Sequence, residues 1–151
     1  MELQWRWFGL ADFDPLTLYA YLKLRQDVFI VEQNCVYPDM DQYDAVSQHL
    51  LGLDENGRVL ASLRLVPPGL KYAEPSIGRV ITHPDARRGG TGSKLVAEGL
   101  RMSSQLYPQQ GHRIGAQAHL KGFYALFGFV TIGQEYLEDD IPHIDMLIEA
   151  A

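Results

Sequence analysis

The run Ile77-Gly78-Arg79-Val80-Ile81-Thr82-His83-Pro84-Asp85-Ala86-Arg87-Arg88-Gly89-Gly90-Thr91-Gly92-Ser93-Lys94 joins a short apolar strand to a glycine-rich loop and the first turn of a helix. The strand reads from Ser76 to Thr82 and stops at His83-Pro84. The helix is expected from about Gly92 to Tyr107, because Leu95, Gly99, Met102 and Leu106 form one stripe with Val96 and Leu100 beside it. Glycine lets the backbone of the loop turn and approach a ligand without a β-carbon in the way. The first N–H groups of a helix have no partners and carry the positive end of its dipole, which makes a diphosphate the natural occupant. Arg87 and Arg88 are placed to add charge-assisted hydrogen bonds. Spacing excludes two other phosphate loops. A Walker A loop needs Gly-Lys-Ser/Thr where Ser93-Lys94-Leu95 stands, and a G-x-G-x-x-G fingerprint begun at Gly90 meets Leu95 at its third glycine.

Working outward, Trp5 and Trp7 alternate with Gln4 and Arg6 as in a strand. Asp14-Pro15 is a helix start, and Ala20, Leu24, Val28 and Val31 carry that helix to about Glu32. Gln48 to Leu53 and Arg58 to Val66 read as strands joined at Asp54-Glu55-Asn56-Gly57, where Asn-Gly signals a hairpin. Beyond the loop Pro108 to Gly111, Ile114 to Ala118 is a short strand, and Leu120 to Phe127 is a short helix stopped by Gly128. Phe129 to Ile132 and His143 to Ile148 are the last strands. Hairpins followed by alternating helices predict an α/β (α+β) fold, a mixed sheet with helices on both faces, in a single domain spanning 1–151.

The chain carries 13 Lys+Arg against 19 Asp+Glu, a net charge of −6 that argues against general nucleic-acid binding. Against that average, Arg79, His83, Arg87, Arg88 and Lys94 cluster, while acids gather at Asp39 to Asp44 and Glu135 to Asp140. One anion-seeking patch on an acidic protein suggests a single phosphorylated ligand. Apolar runs are too short to span a membrane, and the N-terminus lacks the marks of a signal peptide. The lone Cys35 suits a reducing compartment, so a cytoplasmic location is expected. The scattered histidines offer no metal site; His112 and His119 bring no carboxylate at ligand spacing.

Arg87-x-x-Gly90-x-Gly92 is similar to the Q/R-x-x-G-x-G/A motif of the GCN5-related N-acetyltransferase (GNAT) family. Gln117 to Phe129, with its tyrosine and then Gly-Phe, resembles the family's second signature. Val28 to Cys35 and Tyr136 to His143 resemble the ElaA-like branch, so the likeness covers nearly the whole chain. Arg88 and Gly89 stand where many relatives carry Gly and then Gln or Lys, at positions the motif leaves free. The resemblance implies a splayed, mostly antiparallel sheet whose fourth and fifth strands part to admit acetyl-CoA. Backbone groups of Val80 and Thr82 would pair with the pantetheine arm, and the N–H around Val80 or Ile81 would supply the oxyanion donor. The amides of Arg87, Arg88, Gly89, Gly90, Thr91, Gly92 and Ser93 would hold the pyrophosphate, with His119 or Leu120 near the thioester. The acceptor would be a small-molecule or protein amine, and a homodimer stays open.

Acyl transfer from a thioester to an amine needs a neutral amine, oxyanion stabilisation and a proton for the leaving thiolate. The resemblance assigns that proton to Tyr124, a phenol protonated at neutral pH; packing between Phe123 and Phe127 is its alternative role. Glu32, Glu138 and His143 are candidate bases, histidine being the residue type most often used for that task near neutral pH. His143 also reads as an ordinary strand residue, Glu138-Asp139-Asp140 as a solvated loop, and Cys35 as either a reactive thiol or a small buried hydrophobe. Two other readings stand beside the N-acetyltransferase. One is a non-catalytic acyl-CoA sensor or interaction module; the other is an acyl-homoserine-lactone synthase, suggested by Arg25, Val28 and Phe29.

Overall fold

Asp14 starts the first helix as its chemistry requires. Its carboxylate accepts from the Thr17 N–H at 2.9 Å, and Pro15 follows where no N–H is needed. The computed structural model describes residues 2–151. Four antiparallel strands, β1 (Gln4–Gly9), β2 (Gln48–Leu53), β3 (Val59–Val66) and β4 (Ser76–Thr82), lie side by side in chain order. A second antiparallel sheet has the order β5-β7-β6, from β5 (His112–Gln117), β6 (Val130–Glu138) and β7 (Ile141–Ile148). The helices are α1 (Pro15–Arg25), α2 (Thr91–Leu106) and α3 (Lys121–Ala125).

Both faces of the first sheet are covered, which explains why β2 and β3 read as nearly unbroken apolar runs. Leu50, Ala61, Leu63 and Leu65 pack with Leu95 and Val96 of α2, and that core continues into Ile114, Ile144 and Met146 of the second sheet. Leu51, Leu53 and Val59 pack on the opposite side with Tyr21 and Leu24 of α1. The expected splayed, mostly antiparallel sheet with helices on both faces is therefore what the chain forms. All ladders within each sheet are antiparallel, and no ladder joins β4 to β5.

The junction of β4 with β5 is short. Arg113 N–H donates to the Pro75 carbonyl at 3.1 Å, and the next donor, Ile77 N–H, goes to the ring Nε2 of His112 at 2.7 Å. A side chain has replaced the strand partner. From there the two strands diverge around a cavity.

Several elements differ from their sequence reading for local reasons. The first helix continues to Glu32 as expected, but over Gln26–Glu32 its turns widen to π geometry, ending in Gln33 N–H to Val28 O and Cys35 N–H to Ile30 O. β6 runs well past Ile132: an irregularity between Ile132 and Tyr136, with Gly133 at φ +72°, interrupts the alternation that sequence reading relies on. The acidic run is no loop but the end of β6 and a two-residue turn. Asp139 and Asp140 both have positive φ, the conformation of a tight hairpin turn that Asp tolerates. No helix among the described residues is long and apolar enough to cross a membrane.

The His112 junction has a pH consequence. Nε2 accepts from Ile77, so Nδ1 carries the proton and faces Ser103 Oγ at 3.1 Å. Burial pushes the His112 pKa down to about 4. A depressed histidine leaves stability intact above the unfolded value near 6.5 and removes it as pH falls toward 4, by up to roughly 3 kcal/mol. Urea unfolding from pH 7 to 4 should show that loss in the native chain and a correspondingly flatter profile in His112→Gln.

Candidate active site

The cavity between β4 and β5 encloses about 120 Å³. Ser76 to Val80 form one wall, Ile114 to Gln117 the other, and Tyr124 closes part of it from α3. The π turns contribute Phe29 and Gln33, the segment after them Cys35 and Tyr37, and the β6–β7 hairpin Glu138, Asp139, Ile141 and His143. Widening of a helix to π geometry commonly marks a functional site, and here it forms part of the cavity rim.

A bulge in β4 shapes the inner wall. Ile81 pairs with Ser62 but Gly78 pairs with Arg64, so β4 spends one residue more than β3 over this interval. Arg79 takes the strain at φ +50°. The bulge reverses the alternation of the strand: Ile77 packs with α2, while Ile81 packs with α1.

A buried charge network holds the bulge. Arg79 Nε lies 2.9 Å from Asp39, and Nη2 lies 3.3 Å from Asp41. Arg25, fully buried, reaches Asp44 at 2.7 Å and Asp39 at 2.9 Å, and Arg64 reaches Asp41 at 2.6 Å and Asp44 at 3.1 Å. Burial alone would raise the Asp44 carboxyl, yet the hydrogen bond and charge of Arg25 hold it down at about 2. The loop carrying Asp39, Asp41 and Asp44 is thereby fastened to α1, β3 and β4 at once. Sequence reading missed this network, although three signals pointed to it: a guanidinium inside the apolar run of β3, another in β4, and three closely spaced aspartates.

Tyr124 and His143 are brought together on the one cavity. Tyr124 is buried against Phe123 and Phe129, and burial raises its pKa to about 12. It therefore both packs as core and lines the cleft. His143 Nδ1 sits 2.7 Å from the Ile141 carbonyl, its Nε2 3.4 Å from Glu138, and its ring stacks on Tyr136. Glu32 is elsewhere: it pairs with Arg87 at 2.8 Å and is absent from the cavity lining. Leu120 lines the cavity, whereas His119 is exposed outside it. The Cys35 thiol donates to the Asp139 carbonyl at 3.2 Å, and burial followed by Asp139 and Asp140 raises its pKa. That makes it a poor nucleophile.

The glycine loop lies beyond the outer end of β4. Gly89 and Gly90 take φ +82° and +78°, and a Cβ built on either would meet nothing within 4 Å. This is an open concave backbone, and Gly90 caps α2 without a side-chain hydrogen bond. The first-turn amides of Thr91, Gly92 and Ser93 are thus available to an anion. Arg88 is exposed beside them, while Arg87 is engaged, its Nε donating to the Thr82 carbonyl at 3.0 Å. Val80 lines the cavity; Ile81 and Thr82 still pair with β3 through Ser62 and Ala61, leaving the other edge of β4 toward the cleft.

A sheet parted beside a helix mouth, with a phenol in the parting, is the arrangement that the resemblance to the GNAT family implies. The model of the acetyltransferase (GNAT) domain matches residues 24–150. Protein ElaA of Escherichia coli is 36% identical over 149 residues, covering 97% of each chain, and its crystal structure superposes with a TM-score of 0.90. An acyl-CoA N-acyltransferase from Pseudomonas aeruginosa gives a TM-score of 0.91 at 40% identity, covering 97% of this chain and 99% of that one. The chain belongs to the GNAT acetyltransferase family, in its ElaA-like branch. The acyl-homoserine-lactone synthase BjaI, solved with SAM and isopentyl-CoA, shares the fold alone, with a TM-score of 0.79 at 17% identity over 99% of this chain and 84% of that one.

Replacing Arg25 by Met keeps bulk but leaves Asp39, Asp41 and Asp44 with only Arg64 and Arg79 to match them, one negative charge in excess. Removal of one partner from a buried pair costs about 3–5 kcal/mol, and chemical denaturation should register a loss of that size. A change below about 1 kcal/mol, the worth of a surface pair, would show that the network does not hold this loop.

Proposed function

We propose that the protein moves an acetyl group from acetyl-CoA to a primary amine by direct attack in the β4–β5 cleft. The observation that carries this reading is the sharing of one cavity by Tyr124 and His143, at the edge of a strand that leads to the glycine loop. The open backbone at Gly89 and Gly90 fits a pyrophosphate, and the free edge of β4 fits an extended pantetheine arm. Acetyl-CoA supplies the activated thioester.

Within that frame each group has one task. The amides from Arg87 to Ser93 bind the diphosphate, with Arg88 as the free guanidinium beside them. Arg87 acts instead as a brace, joining Glu32 to the Thr82 carbonyl. Main-chain N–H at Val80 or Ile81 stabilises the oxyanion. Nδ1 of His143 donates to the Ile141 carbonyl, which leaves Nε2 basic and next to Glu138. His143 Nε2 takes the proton of the attacking amine, and Glu138 offsets the charge it acquires. The Tyr124 hydroxyl, protonated throughout the neutral range, gives its proton to the departing thiolate. Glu32, held by Arg87 outside the cavity, has no part in proton transfer.

Thiol release from acetyl-CoA in the presence of amines, polyamines, amino acids or lysine peptides tests the reading. Tyr124→Phe should lower kcat by about 10²–10⁴-fold and leave acetyl-CoA affinity nearly unchanged. An unaltered kcat would remove Tyr124 as the acid, and coenzyme binding with no thiol release from any acceptor would favour a sensor instead. Separately, Gly90→Val forces a β-branched residue into the left-handed region at a cost of about 1–2 kcal/mol and fills the open cradle. Calorimetric titration should show acetyl-CoA affinity at least tenfold weaker, by roughly 1.4 kcal/mol.

A further inference from the structure

The charges lining the cavity differ in how well they are matched. Arg79 is engaged by Asp39 and Asp41. Lys71, on the loop between β3 and β4, lines the same cavity with no such partner. Lys71 is exposed, and its ammonium lies 5.8 Å from the centre of the Tyr72 ring. Burial, followed by Arg64, lowers its pKa, and among the described residues no carboxylate hydrogen-bonds to it. Across the cavity the β6–β7 turn presents the opposite sign. Glu138 stands beside His143, and Asp139 adds a second carboxylate on the lining.

An ammonium on the cavity lining with no carboxylate paired to it is free to bind an anion that enters the cavity. A carboxylate suits it, being one charge for one ammonium. The acidic wall by His143 suits the opposite end of an acceptor, its ammonium, before that group loses its proton. About 120 Å³ is the scale of one small organic molecule. A polyamine would set a second cation against Lys71, and a lysine side chain would bring no carboxylate to it.

Resting on the acetyltransferase reading above, we propose that the acceptor is a small zwitterionic amino acid, its carboxylate held by Lys71 and its amine directed to His143 and Glu138. Lys71 is then a specificity-determining residue that acts on binding and not on the chemical step.

The test measures thiol release from acetyl-CoA with the α-amino acids, β-alanine and γ-aminobutyrate, each beside its carboxamide, with polyamines and lysine peptides as further arms. An accepted amino acid should exceed its carboxamide at least tenfold in kcat/KM. Lys71→Met should abolish that preference by raising KM for the acid about tenfold, with kcat and the carboxamide reaction little changed. Lys71→Arg should retain most of the preference. Equal turnover of acid and carboxamide, or an equal loss for both in Lys71→Met, overturns the proposal. Turnover confined to polyamines or lysine peptides overturns it as well, while the acetyltransferase reading stands. Thiol release with no acceptor at all overturns both.

Discussion

Three guanidiniums and three carboxylates, buried or half-buried beside the cavity, are the constraint on which the site depends. Arg25, Arg64 and Arg79 come from a helix and two strands, while Asp39, Asp41 and Asp44 come from one loop. Charges removed from water are tolerable only when matched at close range, so the network admits few arrangements of its members. One consequence is the left-handed Arg79 in the β4 bulge, a conformation that an unbranched but bulky residue adopts only where its surroundings hold it. A second is the position of Tyr37, which follows the π turns and lies over the Arg79 guanidinium. The rim of the cavity thus inherits its rigidity from charge pairing beside it.

The cleft itself comes from a strand junction that fails after one backbone hydrogen bond. Beyond Pro75 and Arg113, the imidazole of His112 takes the donor that a neighbouring strand would otherwise have satisfied. Without that acceptor, the Ile77 N–H would be buried and unpaired. His112 is in turn fastened to α2 through Ser103 and packed edge-on against Phe129. The core runs continuously under both sheets, so the parting of β4 and β5 does not divide the protein. A stable core and an open edge coexist because the opening is confined to the ends of two strands.

The two signs of charge around the cavity and the neutral backbone cradle beyond β4 are separate devices. Backbone amides and glycines recognise an anion by shape and dipole, which is insensitive to side-chain pKa. The cavity, by contrast, relies on a lysine, a histidine and carboxylates, whose protonation depends on their neighbours. In the proposed reaction the cradle anchors the coenzyme and the charged cavity selects the acceptor. The division permits a change of acceptor by alteration of cavity side chains alone.

Strand and helix existence was legible in the sequence wherever one pattern ran unbroken, as in β3 and α2. The glycine loop was legible too, because a left-handed backbone at Gly89 and Gly90 follows from residue type at that spot. A place for Tyr124 on the cleft could be inferred only from family resemblance. Other features were not local enough to read. The β4 bulge, the extension of β6 past Gly133 and the π turns all break the periodicity on which such reading rests. The sharing of one cavity by His143, Tyr124 and Lys71, and the pairing of Glu32 with Arg87, join residues far apart in the chain. By itself the sequence determined the elements, their covered faces and an anion-binding turn, since these depend on near neighbours. Only the tertiary structure decided which charges share a cavity and which cancel one another, because burial and pairing belong to the packed chain.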